Sequence, residues 1–378
     1  MRSASLLEQR LAPELERLKA GNLYRVRRVV EGAHGAQITV NGKACINFCS
    51  NDYLGLASDP RIATAARKAL SETGTGSGAA ALVSGYNREH CALEEELAAY
   101  TGRARALLFS TGWAANLGVL RALLGKNDTL IADELNHASL IDGGRLSGAT
   151  YVRVPHLGVD EYQNALASAK GNVIVATDSV FSMDGDLASL PALAELCRTH
   201  KATLMVDDAH GFGVREIPQQ AEIYVATLGK SLGCAGAFVA GSETLIEYLI
   251  QRARSWVFST APPPALAAAA RESLRIIQSE PALRQQLETN ILRFRDGARQ
   301  LGIVLKDSTT AIQPLIVGEE KTALALSQYL FERGLWVAAI RPPTVPASTS
   351  RLRITLSAAH ASEQIDRLLA VLSQGLKC

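Results

Sequence analysis

Between residues 104 and 240 the chain repeats one pattern: a short, mostly continuous apolar run, then a stretch with apolar residues at helical spacing. The runs are ALLF (106–109), TLIA (129–132), YVRV (151–154), VIVAT (173–177), TLMVDD (203–208), IYVAT (223–227) and GAFVAG (236–241). A strand that alternates apolar and polar residues can leave one face in water. A strand apolar at consecutive positions must be covered on both faces. Such strands alternating with helices predict an α/β fold, a largely parallel sheet between helix layers. Ligands then collect in the crevice beyond the carboxyl ends of the strands, so the residues that follow each run are the ones to read for function.

The 378 residues exceed one core and fit about two domains. SWVFSTAPPP (255–264) breaks the alternation, and a helix-rich stretch follows it. AIQPLIVG (311–318), GLWVAAI (334–340) and RLRITL (351–356) then read as the strands of a smaller α+β domain. The expected organisation is an N-terminal helix and strand segment (1–45), a large domain (46–270) and a small C-terminal domain (271–378).

Hydrophobic residues at 47% and charged residues at 20% mark an ordinary globular chain. Its 39 basic and 37 acidic residues are interspersed, which leaves no footprint for nucleic acid or an acidic membrane surface. No run approaches the ~18 apolar residues of a membrane span. The first 22 residues read as an amphipathic helix rather than a signal peptide. Cys45, Cys49, Cys91, Cys197, Cys234 and Cys378 lack CxxC pairing or zinc-like histidine partners, so reduced thiols of a cytoplasmic protein, and no metal site, are expected.

Ser110-Thr111-Gly112-Trp113 follows the first run; small residues at a strand-to-helix turn can offer free N–H groups to a phosphate, or simply make a tight turn. The glycine cluster Gly74-Thr75-Gly76-Ser77-Gly78 has no strand before it, so it reads as a surface loop near the site rather than a dinucleotide loop. His137 follows the second run, as a ring to stack on a cofactor, a proton carrier or a structural hydrogen-bonder. Asp178 to Asp186 reads as a loop rich in capping groups. Met205-Val206-Asp207-Asp208-Ala209-His210-Gly211 puts two carboxylates and an imidazole behind a buried strand. A carboxylate buried there costs several kcal/mol unless a cation faces it, for which a protonated pyridine nitrogen or a metal would serve. Thr227-Leu228-Gly229-Lys230 follows the sixth run; its lysine is either a Schiff-base amine or a snorkelling strand-end group.

Taken in order, these segments, together with Asn51-Asp52-Tyr53-Leu54-Gly55-Leu56, Asn136-His137-Ala138-Ser139 and Phe181-Ser182-Met183-Asp184-Gly185-Asp186, resemble the fold-type I pyridoxal-phosphate enzymes, and within them the α-oxoamine synthases. The resemblance runs from about residue 20 to 375. It implies a large domain with a mostly parallel sheet, a smaller C-terminal domain and a homodimer. It implies pyridoxal 5′-phosphate held by Lys230, which also moves the α-proton, with Asp207 at the pyridinium nitrogen and His137 stacked on the ring. His210 and Ser182 would contact the phenolic oxygen; Gly112, Trp113 and Thr227 would hold the phosphate. Arg353 would bind the amino-acid carboxylate, and Arg25 and Thr344 the acyl substrate.

The segments Ala311–Gly318, Ile340-Arg341-Pro342-Pro343-Thr344-Val345-Pro346 and Arg351–Leu356 are similar to the branch of the family that condenses L-alanine with a pimeloyl thioester, carried by coenzyme A or an acyl-carrier protein, in biotin biosynthesis. A sister synthase using glycine and another acyl group stays open as an alternative. A non-catalytic ligand-sensing module on the same scaffold is the other. Two departures from the family pattern stand out: a short connection at Val214–Glu222, and the run Ala79-Ala80-Ala81-Leu82 before Val83-Ser84-Gly85.

Overall fold

The computed structural model describes residues 5–377. The expected N-terminal helix spans Leu6–Ala20 and starts with a capping box: Ser5 Oγ accepts from Glu8 N, and the Glu8 carboxylate accepts from Ser5 N. The strands that follow are β1 (Val30–Glu31), β2 (Gln37–Val40), β3 (Lys43–Asn47), β4 (Arg105–Phe109), β5 (Thr129–Asp133), β6 (Thr150–Val154) and β7 (Val173–Asp178). After them come β8 (Thr203–Asp207), β9 (Ile223–Thr227), β10 (Ala237–Gly241), β11 (Ile312–Gly318), β12 (Leu335–Trp336), β13 (Ala338–Ile340) and β14 (Ser350–Thr355). The chain divides into two compact units, Asn51–Leu287, and Met1–Ser50 with Glu288–Cys378. Against the expected boundaries at 45 and 270, the division falls after 50 and after 287.

In the unit Asn51–Leu287 all seven apolar runs are strands of one sheet, ordered β4-β10-β9-β8-β7-β5-β6. Strands β5 to β9 pair in parallel, while β10 runs antiparallel to both β4 and β9. The alternation of side chains along β5, β7 and β8 sorts them into two cores. Leu130, Ile174, Ala176, Met205 and Val225 pack with Val119, Leu120, Leu140, Ile246 and Leu249. Ile131, Val175, Leu204 and Val206 pack with Tyr162, Leu166, Leu193 and Cys197. Both faces of the central strands are therefore dry, as their unbroken apolar runs require, while the edge strand β6 is partly exposed. The helix Ala138–Ser147 approaches its neighbours closely through glycines: a Cβ on Gly143 would lie 2.9 Å from Leu120 Cδ1 of the helix Gly112–Leu123, and one on Gly144 would lie 2.5 Å from Leu130 Cδ2 of β5.

In the other unit, β11, β14 and β13 form an antiparallel sheet, and β1, β2, β3 and β12 a second one. The run GLWVAAI is not one strand, as the sequence suggested. Leu335–Trp336 pairs in parallel with β3, Ala338–Ile340 pairs antiparallel with β14, and the fully buried Val337 is the pivot. An apolar run reports burial but not the strand it pairs with. The described cysteines, Cys45, Cys49, Cys91, Cys197 and Cys234, are free thiols; Cys378 lies outside the described residues. Among the described residues no helix is long and apolar enough to cross a membrane.

Leu130 is fully buried and plugs the gap opposite Gly144. Leu130→Ala should lower unfolding stability by about 2–5 kcal/mol through the cavity it leaves, read from thermal or urea denaturation.

Candidate active site

Three neighbouring strands end in aspartate: Asp133 on β5, Asp178 on β7 and Asp207 on β8, with Asp178 and Asp207 in direct register. All three are buried, and each is met differently. Asp133 accepts from Leu135 N (2.8 Å), Leu157 N (2.9 Å) and the His156 ring. Asp178 accepts from His137 N at 2.7 Å. Asp207 accepts from Asn116 Nδ2 at 2.6 Å and Ala209 N at 3.0 Å. Both of these donors are neutral, and among the described residues Asp207 forms no salt bridge. Burial, and then the Asp207 charge, push the Asp178 carboxyl well above its ordinary range. Burial likewise raises Asp208 to about 7, although the hydroxyls of Ser179 and Tyr224 donate to it.

Beyond β9 the chain makes a closed turn: Leu228 N donates to Gly236 O, Cys234 N to Leu228 O and Gly233 N to Lys230 O, each at 2.9 Å. Gly233 has φ +64°, and a Cβ there would sit 2.3 Å from Ala57 N, so this position requires glycine. The turn presents Lys230, half-buried, whose charge acts on both Asp178 and His137. Burial holds the His137 pKa below its ordinary value; the Asp207 charge opposes this and the Lys230 charge adds to it. Thr227 donates its hydroxyl to Gly236 O (3.0 Å) and accepts from Gly229 N (3.2 Å), so its proton is already used inside the turn.

His137 caps the helix Ala138–Ser147, and its ring meets Trp113 edge-on with centroids 5.9 Å apart. Trp113 opens the helix Gly112–Leu123, which Thr111 caps by accepting from Ala114 N. The Gly112 and Trp113 N–H groups have no acceptor among the described residues, and nothing lies within 4 Å of a Cβ built on Gly112. His210 Nδ1 is 2.6 Å from the Tyr53 hydroxyl. Ser182 is half-buried in the turn after Phe181.

These groups fit pyridoxal phosphate. The Asp207 carboxylate, with neutral donors only, suits a protonated ring nitrogen. Two free N–H groups at an open helix N-terminus suit a phosphate. A half-buried lysine stands at the neighbouring strand end.

Residues 43–372 match the model of the family described as aminotransferase class I and II. The chain belongs to that family. It is 54% identical over 381 residues to the 8-amino-7-oxononanoate synthase of Thioalkalivibrio sulfidiphilus (strain HL-EbGR7), covering 97% of each chain. To the enzyme of the same name from Methylococcus capsulatus it is 52% identical, covering 97% of this chain and 98% of the other. Among solved structures it superposes on a serine palmitoyltransferase from S. paucimobilis, solved with a bound PLP–myriocin aldimine, with TM-score 0.93, 28% identity and 99% of both chains covered. An 8-amino-7-oxononanoate synthase from Francisella tularensis gives TM-score 0.77 and 30% identity over 88% of this chain and 98% of that one. Within the family the chain is thus an α-oxoamine synthase in kind.

Of the residues singled out from the sequence, Gly112, Trp113, His137, Ser182, Asp207, His210, Thr227 and Lys230 all lie at or just beyond strand ends of this one sheet. Arg25, Thr344 and Arg353 belong to the other unit. There Arg25 Nη2 donates to Thr344 Oγ1 at 3.0 Å, while Arg353 is buried on β14 and donates to Thr355 Oγ1 at 3.1 Å. Sequence reasoning missed Tyr53, Asn116, Ser139 and Asp178 as members of the site. Asn116 carried a signal, a lone amide on an otherwise apolar helix stretch.

His156 was also missed. Its Nδ1 lies 3.0 Å from Asp133 and its Nε2 3.0 Å from Asp186, which ties the loop carrying Ser182 to the end of β5. Both partners can only accept, so both ring nitrogens carry hydrogen. Burial opposes the charge, but the hydrogen bonds to Asp133 and Asp186 outweigh it and push the pKa from 6.5 up to about 9. The folded state therefore holds this proton more tightly than the unfolded chain. Its stabilisation is full below pH 6.5 and is lost as pH rises through about 9. The melting temperature of the wild type should thus fall relative to His156→Gln across that interval. Parallel curves would show that the clip carries no charge.

Proposed function

We propose that this protein joins L-alanine to a pimeloyl thioester, with loss of carbon dioxide, acting as an 8-amino-7-oxononanoate synthase in biotin biosynthesis. The observation that carries this reading is the 54% identity that spans 97% of both chains in comparison with a curated enzyme of that name. The higher TM-score to the serine palmitoyltransferase does not favour its substrates, because a shared backbone does not choose a substrate.

Pyridoxal 5′-phosphate, when bound, supplies an electron sink for the α-carbon of the amino acid. The chain's own groups supply the rest. Lys230 takes the α-proton of alanine and later returns a proton to the same carbon. Asp207 keeps the ring nitrogen protonated by facing it with a negative charge. His137 holds a proton for the thioester oxygen while the new carbon–carbon bond forms and the thiol leaves, a contribution of ~10²–10⁴-fold. His210 and Ser182 are assigned to the phenolic oxygen, and the Gly112 and Trp113 N–H groups to the phosphate.

On the substrate side, Arg353 is assigned to the alanine carboxylate and Arg25 with Thr344 to the acyl substrate. Arg341 adds a second cation beside them, its pKa lowered by burial and by the Arg25 charge. Two arginines this close favour an anion, which suits the phosphates of coenzyme A and of a carrier-protein prosthetic group alike. The protein is read as a cytoplasmic homodimer with no nucleic-acid or membrane partner.

Purified protein mixed with pyridoxal phosphate should show the absorbance band of the lysine-bound cofactor. Lys230→Ala should abolish that band and cut turnover by at least ~10²-fold. Alanine, glycine and serine, each supplied with pimeloyl-CoA, pimeloyl-carrier protein and shorter or longer acyl-CoAs, decide the substrates. Alanine with a pimeloyl thioester should lead; glycine outpacing alanine would assign the chain to a sister reaction.

A further inference from the structure

Four side chains at the sheet end form one hydrogen-bonded series: the Asp207 carboxylate, the Asn116 amide, the Ser139 hydroxyl and the His137 imidazole. Asn116 and Ser139, both fully buried, carry no role in the reading above. The direction of each bond follows from what each group can give. A carboxylate only accepts, so the end of Asn116 that lies 2.6 Å from Asp207 is its NH2. The second hydrogen of that NH2 goes to Ser139 Oγ at 2.8 Å. Ser139 then has one proton to give, and His137 Nδ1 is 2.7 Å away. The Ser139 backbone N–H faces the same nitrogen at 3.3 Å.

Nδ1 therefore receives two donors. The opposite tautomer would make Ser139 accept twice and send its own proton elsewhere, and no other acceptor for it exists among the described residues. We propose that Asn116 and Ser139 are positioning residues that hold His137 as the neutral Nε2–H tautomer, leaving Nε2 as its single proton donor. This inference rests on the reading of His137 as the group that gives a proton to the thioester oxygen. The same arrangement resists the imidazolium, because a hydrogen on Nδ1 would face two other hydrogens. It also lets one amide fix the carboxylate assigned to the cofactor ring and, through Ser139, the imidazole assigned to the acyl group.

The test is 15N NMR of histidine-labelled protein, with and without pyridoxal phosphate, His137 being identified by its loss in His137→Gln. In the wild type the Nε2 resonance should be of the protonated type and the Nδ1 resonance of the bare type, in both forms of the protein. Ser139→Ala removes one atom and leaves one hydrogen of the buried Asn116 amide unpaired, so the melting temperature should fall by a few degrees while the protein stays folded. With only the longer backbone N–H bond left on Nδ1, it should admit a measurable share of the Nδ1–H tautomer and move the His137 titration toward an ordinary value of about 6.5. Turnover should fall about 10- to 10²-fold with the KM for alanine little changed. A wild-type Nδ1–H signal, or a Ser139→Ala protein that keeps a pure Nε2–H signal, overturns the proposal. Mixed tautomers with unchanged turnover would uphold the lock and overturn the reading of His137 as the proton donor.

Discussion

A carboxylate buried at the end of a strand and met only by neutral donors is the interaction on which this site depends. Asp207 is placed there by central strands that have no wet face: alternate residues of β5, β7 and β8 enter two separate cores, so only the strand ends remain for polar groups. An ionised carboxylate in such a place costs several kcal/mol if left without a cation. The Asn116 amide and the Ala209 N–H lessen that cost without removing the charge. Under the proposed assignment of Asp207 to the cofactor, a cationic ring nitrogen would complete the balance, and the same charge would keep it protonated.

The neighbouring groups are arranged around that one charge. Asp178 is in register with Asp207, and two adjacent buried carboxylates do not both ionise readily, so Asp178 is driven to hold its proton. Its oxygen is then used as an acceptor for His137 N, fixing the start of the helix that His137 caps. His137 is kept neutral chiefly by burial. His156, two residues beyond the strand β6 that registers Val154 beside Asp133, is instead kept charged by two carboxylates. Two histidines that follow the adjacent strands β5 and β6 thus carry opposite protonation preferences, one set chiefly by burial and the other by the carboxylates its ring nitrogens meet.

The sheet was legible in the sequence because burial on both faces writes itself as consecutive apolar residues, and β4 to β10 all fall on such runs. The strand-end positions of Lys230 and Asp207 were legible because the apolar runs stop there, whereas the roles assigned to them came with the family resemblance. What the sequence did not disclose is pairing. GLWVAAI looks like one strand, yet its two halves join different sheets. His156 sits in an ordinary-looking loop, and only the β5–β6 register brings it to Asp133. Asn116 and Ser139 are 23 residues apart, and Tyr53 and His210 are 157 apart; the first pair meets only once its two helices pack together, the second only once two distant turns meet.

The same distinction separates the two halves of the functional reading. The cofactor groups rest on local rules, since each follows its own strand and the parallel order of the sheet gathers the strand ends. The substrate groups rest on contacts between distant parts of the sequence: Arg25 and Thr344 lie 319 residues apart and meet at 3.0 Å. A guanidinium that donates to a threonine oxygen leaves the hydroxyl proton and several of its own N–H groups unspent. Because Arg341 already donates to the carbonyls of Asn22 and Tyr24, the chain before β1 is tied to the loop after β13, and the two are held as one basic surface. If Arg25 and Thr344 bind the acyl substrate as proposed, its recognition would depend on how the N-terminal segment is anchored on the loop that carries Arg341 and Thr344. Substitutions that loosen that anchor should alter the choice of acyl partner before they disturb the chemistry at the sheet.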